Sequence, residues 1–320
     1  MRIVILDSFA ADQGDETMWN DLPALGELTV HARSANGDVV ARCVGAGAAL
    51  TNKVPFSAAT FAALPDLRYV GILATGTNVV DLAAARAAGV AVTNVPSYAA
   101  ASVAQHVLAL ILHFSQDVAG HDAAVKAGAW AASPDFCFFT REIFELAGKT
   151  LVLVGSGAIG GAVARIADAF GMHVVRAGVP GSPTLAGRTP LAQALPAADI
   201  VSLHCPLTEA TRGMVDARFL AALKPGAILI NTARGALIDE AALLAALAAG
   251  KLGGVGLDVL AVEPPPADHP LTDARAPWAA RVVVTPHIGW GAIEARRRLA
   301  AEAAENVRAF LAGTRRNRVD

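Results

Sequence analysis

Three side chains with complementary chemistry follow apolar runs in the second half of the chain. Arg234 lies in NTARG, Glu263 follows GLDVLAV, and His287 lies in TPHIGW. An arginine can bind a carboxylate in a fork and polarise a neighbouring carbonyl group, and a histidine can transfer a proton near neutral pH. A glutamate beside that histidine would favour the imidazolium and fix the orientation of the ring. Together these residue types predict a site that binds a small carboxylate and moves a proton.

The apolar runs before these residues have the pattern of a parallel α/β sheet. The predicted strands are MHVVRA, DIVSLHC, AILINTA, GVGLDVL and RVVVTPH, with helical stretches such as DARFLAAL and EAALLAALAAG between them. In a parallel sheet the carboxyl ends of all strands lie at one edge, so the three side chains should converge there.

The stretch LVLVGSGAIG at 151–160 predicts what else lies at that edge. Four apolar residues form a strand signal, and Gly155, Gly157 and Gly160 follow with the spacing G-x-G-x-x-G before a helical run. One glycine makes the turn, the next lets the backbone approach a pyrophosphate, and the third lets the helix pack on the strand. With 29 glycines in the chain the motif alone is weak, but strand, turn and helix are all present. We therefore predict a dinucleotide site.

The rest of the chain also alternates strands and helices. RIVILD, LTVHA, AALTN, LRYVGIL and VAVTNV are predicted strands of a first α/β domain. A mostly apolar helix is predicted at 101–118, and the aromatic cluster at 119–149 indicates a subunit interface. The final helical run, 292–311, is expected to cross back onto the first domain and make that domain discontinuous.

Composition limits the partners. The net charge of −2 provides no basic field for nucleic acid or anionic lipid. No apolar segment reaches the ~20 residues of a membrane span, and the amino terminus lacks the pattern of a signal peptide. Cys43, Cys137 and Cys205 are scattered as in reduced cytosolic proteins. We expect a cytoplasmic protein with no nucleic-acid or membrane partner.

No metal site is predicted. His106 and His113 are seven residues apart, not the four of a helical metal pair, and are interpreted as packed core or interface residues. His204 is interpreted as structural. The glycines at 253–256 are not predicted to form a second dinucleotide-binding turn, because they open a strand and not a helix.

At these motifs the sequence resembles the D-isomer-specific 2-hydroxyacid dehydrogenases over essentially its whole length. GSGAIG, LHCPLTEATRG, NTARG, GLDVLAVEPPP and TPHIGW carry the resemblance, and LTNKVPF, ATGTNVVDLAAARAAGVAVTNVPSY and PDFCFF are similar to the glycerate dehydrogenase or hydroxypyruvate reductase branch. The resemblance implies an α/β fold in which a Rossmann-type doubly wound domain, about 100–288, is inserted into a smaller flavodoxin-like substrate domain, 1–99 and 289–320. It also implies a homodimer joined through the cofactor domains by the segment at about 119–149.

The resemblance assigns roles residue by residue. His287 would be the acid in ketoacid reduction, with Glu263 paired to it, and Arg234 would hold the substrate carboxylate and carbonyl. The backbone amides of Thr75 and Gly76 would complete the carboxylate site. Further residues are expected to line the cofactor, with Asp258 at its nicotinamide end: Gly155, Gly157, Ala158, Ile159, Gly160, Cys205, Pro206, Thr211, Thr232, Ala233, Asp258 and Gly289.

The expected activity is hydride transfer between NAD(P)H and a small 2-ketoacid, hydroxypyruvate or glyoxylate. One alternative is a nicotinamide-sensing binding protein, which need not keep Arg234, Glu263 and His287 together. The other is 3-phosphoglycerate oxidation, although no extra cationic pair for a phosphate stands near Thr75. Thr77 stands where an aromatic residue is common in the branch, which would widen the substrate site.

One departure from the usual NAD-binding pattern leaves the choice between NAD and NADP open. An acidic residue is expected at the end of the second strand, some twenty residues beyond the first glycines, to bind the ribose hydroxyls. That position is Gly178. Its loss removes a hydrogen bond to NAD and a repulsion against the extra phosphate of NADP, which Arg176, Ser182 or Arg188 could meet. We expect NADP(H) to be accepted at least as well as NAD(H).

Overall fold

A computed structural model describes residues 1–183 and 186–320. It divides into two compact units, Met1–Ala99 with Gly291–Asp320, and Ala100–Trp290. Each unit has its own sheet, and every neighbouring pair of strands in both sheets is parallel. The predicted α/β class with two parallel sheets is confirmed.

The first unit has a five-stranded sheet in the order β2-β1-β3-β4-β5, which is the flavodoxin-like order. Its strands are β1 (Arg2–Ile5), β2 (Glu27–Val30), β3 (Ala48–Thr51), β4 (Tyr69–Ile72) and β5 (Ala91–Thr93). β3, β4 and β5 are buried along their whole length, because a parallel sheet is covered on both faces.

Short helices connect these strands, and a long one returns to them from the end of the chain. They are α1 (Phe9–Asp12), α2 (Val39–Cys43), α3 (Ala58–Ala62), α4 (Leu82–Ala87) and the C-terminal helix (Ile293–Leu311). The C-terminal helix packs on the sheet through Phe310, whose ring centroid lies 5.0 Å from that of Tyr69. Asn306 donates to the carbonyl of Asn94 at 2.9 Å.

The second unit has a six-stranded sheet in the order β11-β10-β9-β8-β6-β7. Its elements are α5 (Ala100–Gln116), α6 (Val118–Lys126), β6 (Thr150–Val154), α7 (Ala158–Ala169), β7 (His173–Ala177), α8 (Leu191–Ala194), β8 (Ile200–Leu203), α9 (Ala217–Ala222), β9 (Ala227–Asn231), α10 (Glu240–Ala248), β10 (Leu252–Leu257) and β11 (Val282–Val284). Single-turn 3-10 helices occur at Glu16–Trp19, Asn36–Asp38, Leu195–Ala197, Gly235–Leu237 and Ala279–Arg281.

The order of the second sheet reverses at β6. β6 pairs with β7 on one side and with β8 on the other, and in open α/β sheets ligands bind at the carboxyl ends of the strands beside such a reversal. Outside β7, a single parallel bridge pairs Ala177 with Thr189, where a further strand of the sheet would lie. The order is therefore that of a dinucleotide-binding sheet with a reduced outer strand.

The long helix predicted at 101–118 ends earlier than expected. Asp117 has a φ of 45°, in the left-handed region, and its side chain accepts from the amide of Gly120 as the N-cap of α6. The chain therefore turns at Asp117, because an aspartate tolerates that conformation and caps the next helix.

The buried helix α5 lies against two of the three glycines of β10, Gly254 and Gly256. A Cβ at Gly254 would lie 2.6 Å from the Phe114 ring, and one at Gly256 would lie 2.9 Å from Cδ1 of Ile230 on β9 and 3.3 Å from Cβ of Leu110. The helix can pack this close to the sheet because both side chains are missing. Among the described residues, no helix is both long and apolar enough to cross a membrane.

Candidate active site

Glycine occupies the three motif positions after β6 for different structural reasons. Gly155 has a φ of 98°, and a Cβ there would lie 2.7 Å from the carbonyl carbon of His204. A Cβ at Gly160 would collide with the carbonyl oxygen of Gly155. A Cβ at Gly157, in contrast, would meet no atom of the chain within 4 Å. The chain itself requires the first and third glycines, whereas the second matters only to something that approaches the backbone from outside.

The helix that follows offers backbone donors at the same place. Gly157 is the N-cap of α7 and provides no side-chain cap, and the first helical bond runs from the amide of Gly161 to the carbonyl of Gly157 at 2.8 Å. The amides of Ala158, Ile159 and Gly160 precede that first bond, at the positive end of the helix dipole. This turn fits a pyrophosphate, because it combines donors with an unobstructed backbone.

Five more residues expected to line the cofactor follow β8 and β9, at the same edge of the sheet. Thr211 is buried, accepts from the amide of Thr208 at 2.8 Å and donates to the carbonyl of Pro206 at 2.8 Å, which fixes the loop after β8. The hydroxyl oxygen of Thr232 is buried and has no hydrogen-bond partner in the described part of the chain. A buried hydroxyl of this kind is unusual in a protein and suits a ligand contact.

Cys205 lies in the same loop but is not a nucleophile. It is 3% exposed, and burial raises the pKa of its thiol to about 11, so the thiol is protonated at neutral pH. Its neighbour His204 is half-buried, and the loss of hydration lowers its pKa to about 4; its Nε2 lies 2.9 Å from the hydroxyl of Ser202. Both residues therefore act as neutral packing groups behind the glycine turn.

Arg234 is presented by a turn that Asn231 holds at the end of β9. The buried amide of Asn231 donates to the carbonyl of Arg234 at 2.9 Å and accepts from the amide of Ala233 at 3.0 Å. The guanidinium donates to the carbonyl of Ala233 at 2.6 Å. Within residues 1–183 and 186–320 no carboxylate forms an ion pair with it, so its charge remains for a ligand.

Gly235 brings this turn against the segment that carries Glu263. A Cβ at Gly235 would collide with the backbone of Leu260 and Ala261. The amide of Leu260 in turn donates to Oε1 of Glu263 at 3.1 Å. Gly235 could not be singled out from the sequence, because nothing in NTARG shows which other segment its backbone approaches.

Glu263 and His287 form a hydrogen-bonded pair. Nδ1 of His287 lies 2.7 Å from Oε2 of Glu263, with 27% of the histidine side chain and 34% of the glutamate side chain exposed. An ionised carboxylate only accepts, so Nδ1 carries a proton and Nε2 is the nitrogen that can exchange one with a substrate. The two side chains predicted to pair do so.

Asp258 has a role that its place in the sequence does not indicate. Its side chain is 3% exposed and accepts from the amides of Ile288 and Gly289 at 2.9 and 2.8 Å, and from the hydroxyl of Thr285 at 2.6 Å. Burial alone would raise the pKa of this carboxyl. The hydrogen bonds that it accepts outweigh burial, so its pKa lies below the ordinary value; the donors are His106, Thr285, Gly289 and Ile288. The carboxylate was expected to face the nicotinamide; the structure shows both of its oxygens bonded to the loop that carries His287.

Gly289 and His106 belong to the same arrangement. A Cβ at Gly289 would lie 2.9 Å from Oδ2 of Asp258, so glycine is required there by the chain itself. Nε2 of His106 lies 2.9 Å from the hydroxyl of Thr285 and 3.3 Å from Oδ1 of Asp258. The interpretation of His106 as a packing residue was therefore incomplete. No spacing in the sequence connects it with Thr285, which lies 179 positions away.

Thr75 and Gly76 follow β4 in the first unit. The hydroxyl of Thr75 donates to the carbonyl of Val95 at 3.0 Å, and its carbonyl accepts from the side chain of Asn94 at 2.7 Å. These bonds fix the turn at the carboxyl end of that sheet, while the assignment of both residues to a substrate carboxylate stays a prediction.

A cavity of about 340 Å³ lies at the opposite edge of the second sheet, where Lys149 precedes β6 and Lys224 precedes β9. Lys224 is paired with Asp199 at 2.8 Å. None of the predicted site residues lines this cavity, and the described residues contain no His, Cys, Asp and Glu cluster suited to a metal ion. The predicted site residues of the second unit therefore lie at the carboxyl edge of its sheet, away from this cavity.

The fold and this site define a dinucleotide-dependent oxidoreductase of the α/β class. The family model for the D-isomer specific 2-hydroxyacid dehydrogenase, NAD binding domain, matches residues 108–289. The chain belongs to this family.

Relatives with assigned activities are similar over most of their length. A hydroxypyruvate reductase from Blautia hydrogenotrophica is 39% identical over 321 residues, covering 98% of each chain. A glycerate dehydrogenase from Methylorubrum extorquens is 43% identical over 283 residues, covering 88% of each. The solved structure of the TT0316 protein from Thermus thermophilus is 36% identical, covers all of both chains and superposes with a TM-score of 0.86.

Proposed function

We propose that the protein reduces hydroxypyruvate or glyoxylate to the corresponding 2-hydroxyacid with a nicotinamide cofactor. The observation that carries the proposal is the Glu263–His287 pair at 2.7 Å, in the same unit as an arginine that has no carboxylate partner among the described residues. The names of the two similar enzymes, hydroxypyruvate reductase and glycerate dehydrogenase, support this substrate class.

Arg234 and His287 have distinct tasks in this reaction. Arg234 binds the substrate carboxylate and polarises the carbonyl group. A reduced nicotinamide cofactor would supply the hydride when bound. Nε2 of His287 donates the proton to the carbonyl oxygen and is reprotonated from solvent, and in the reverse direction it accepts that proton.

Glu263 keeps the histidine in the right state for this transfer. One of its oxygens is held by the amide of Leu260 and the other bonds Nδ1 of His287. The carboxylate therefore stabilises the imidazolium before transfer and holds the Nδ1–H tautomer after it. The glycine turn, the start of α7 and the hydroxyl of Thr232 are the groups that would hold the cofactor.

The test is cofactor oxidation with a panel of ketoacids. NADPH and NADH are each mixed with hydroxypyruvate, glyoxylate, pyruvate and 3-phosphohydroxypyruvate, and kcat/KM is measured. We expect the highest values with hydroxypyruvate or glyoxylate. A preference for the phosphorylated substrate would instead indicate phosphoglycerate oxidation as the reverse activity, and tight cofactor binding without turnover would indicate a sensor.

We further propose that NADP(H) is accepted at least as well as NAD(H). Gly178 is not in the left-handed region, and the nearest atom to a Cβ there would be the carbonyl oxygen of Thr189 at 3.8 Å. The backbone would therefore accept an aspartate, so packing does not explain why the acidic residue is missing.

Two arginines lie beside this position. Thr189 donates its amide to the carbonyl of Arg176 and accepts from the amide of Gly178, both at 2.9 Å, which brings Arg188 next to the end of β7. Neither arginine forms an ion pair with any residue that the structure describes, and each suits a ribose phosphate. A preference for NADH above ~100-fold in kcat/KM, about 2.7 kcal/mol, would refute the proposal, and Gly178→Asp should move the preference toward NADH.

We propose a homodimer joined through residues 119–149. Trp130, Phe136 and Phe139 are 54%, 89% and 65% exposed in the single chain, and the indole N–H of Trp130 donates to the carbonyl of Phe136 at 3.0 Å. An apolar patch of this kind is typically covered by a partner. Sedimentation should give a dimer, and the Phe136→Asp, Phe139→Asp double variant should be monomeric; a monomeric wild type would contradict the proposal.

We also propose a cytoplasmic location. Cys43, Cys137 and Cys205 are all free thiols, as expected in a reducing compartment. Detection of the protein in a membrane or extracellular fraction of the native host would contradict it.

A further inference from the structure

The backbone of His287 adopts an unfavourable conformation. Its φ is 55°, in the left-handed region that residues other than glycine rarely occupy and that surrounding contacts must maintain. Its own amide donates to the carbonyl of Thr285 at 2.9 Å. The contacts that hold the neighbouring residues therefore decide whether His287 stays in reach of Glu263.

Those contacts converge on one carboxylate, on both sides of His287. Asp258 accepts from the hydroxyl of Thr285 before it and from the amides of Ile288 and Gly289 after it. We call this set of bonds the Asp258 clamp. Because the clamp encloses His287, a shift of the carboxylate would move the histidine.

His106 holds the clamp from α5. The hydroxyl of Thr285 has one proton, which it donates to Asp258, so its oxygen accepts the proton on Nε2 of His106 at 2.9 Å. A second contact comes from one turn earlier on the same helix face, where the hydroxyl of Ser102 donates to the carbonyl of Gly289 at 2.6 Å. The clamp is therefore anchored to a buried helix that is independent of the loop.

We propose that His106 is a positioning residue for the proton donor: through Thr285 and Asp258 it holds the loop 285–289 in the conformation that keeps His287 bonded to Glu263. This inference rests on the proposed function for its kinetic consequence, but the clamp itself is a structural property. Its loss should reduce catalysis by misplacing His287, since small displacements of a reacting group are costly.

Three variants separate the effect of losing the hydrogen-bond donor of His106 from the effect of changing the volume of its side chain. His106→Phe keeps an aromatic ring and removes the Nε2 proton, whereas His106→Gln keeps an N–H donor of similar reach. His113→Phe is the matched control, because His113 lies on the same helix with 32% of its side chain exposed, and its contacts are with Asp117 at 4.0 Å and with the Phe114 ring, not with the clamp. The purified full chain is used throughout.

The decisive measurement is amide hydrogen exchange at Ile288 and Gly289, which needs no turnover. In His106→Phe, exchange at both amides should accelerate at least about tenfold, while the amides of β6 stay unchanged, because only the clamp opens. His106→Gln and His113→Phe should match the wild type. Unchanged exchange in His106→Phe would overturn the clamp.

Kinetics then test the positioning role. His106→Phe should lower kcat about tenfold or more with the Kd of the reduced cofactor changed less than about twofold. Thr285→Val, which also removes the bond to Asp258, should cost at least as much, and the double variant should lose no more than Thr285→Val alone, since His106 acts on the loop through the Thr285 hydroxyl. Faster exchange with unchanged kcat would overturn the positioning role. A wild type inactive on all ketoacids would refute the proposed function, while the exchange result would still decide the clamp.

Discussion

Replacing Gly157 by alanine should weaken cofactor binding without destabilising the protein. The added methyl group would contact no atom of the chain within 4 Å, and the φ of −68° at this position suits alanine. The methyl group would, however, hold a pyrophosphate away from the backbone amides. Losing one charge-assisted hydrogen bond costs about 1.5–3 kcal/mol, which raises the Kd about 10- to 150-fold.

Gly160→Ala provides the contrast within the same motif. Its methyl group would collide with the carbonyl oxygen of Gly155, so the turn or the helix must shift. Overpacking of this kind costs about 1–3 kcal/mol, and the Tm should fall by roughly 2–10 °C. The first variant should therefore change binding alone, and the second should change stability as well.

The assay combines fluorescence titration of the reduced cofactor with thermal unfolding of the protein alone. Gly157→Ala should show the raised Kd with a Tm within about 2 °C of the wild type. A Kd within about twofold of the wild type would refute the assignment of Gly157 to the pyrophosphate. A large fall in its Tm would refute the view that only a ligand requires this glycine.

Three further predictions concern the reacting groups and their support. Arg234→Lys should lower kcat/KM more than ~100-fold, about 2.7 kcal/mol, mainly through KM, because the fork is lost; a KM near that of the wild type would contradict its substrate role. His287→Asn should lower kcat by about 10²- to 10⁴-fold in steady-state assays with cofactor Kd unchanged, and wild-type turnover would refute it. The pKa of Asp258 is lowered in the folded protein from its ordinary value of 3.8, so its stabilisation is present above that value and is lost as pH falls below it. Unfolding should therefore show Asp258→Asn as less stable at neutral pH, with the difference from the wild type shrinking below about pH 4; a constant difference would contradict the shift.

Local patterns were sufficient to predict the strands and the glycine turn. Each predicted strand is an apolar run with helical stretches around it, and the structure forms all of them. The pairing of Glu263 with His287 was also predictable, since both follow strands of one parallel sheet, whose carboxyl ends share an edge.

Contacts between distant segments were not predictable in this way. The left-handed turn at Asp117 ends the helix predicted at 101–118 and begins α6 (Val118–Lys126), a helix that the sequence of 119–149 did not predict. His106 and Gly235 have roles that depend on Thr285 and Leu260. Those pairs come together only when the sheet forms, so no local pattern in the sequence encodes them.

Gly254 and Gly256, two of the three glycines of β10, have a consequence for how this sequence can diverge. Phe114 and Leu110 occupy the space that side chains at Gly254 and Gly256 would need, and the same helix carries Ser102 and His106 at its other end. A larger residue in the strand would lift α5 and draw the histidine away from the loop. Homologues should therefore accept larger residues at 254 or 256 only together with a smaller residue at 110 or 114. These four positions should coevolve because together they keep α5, and with it His106, in place to position His287.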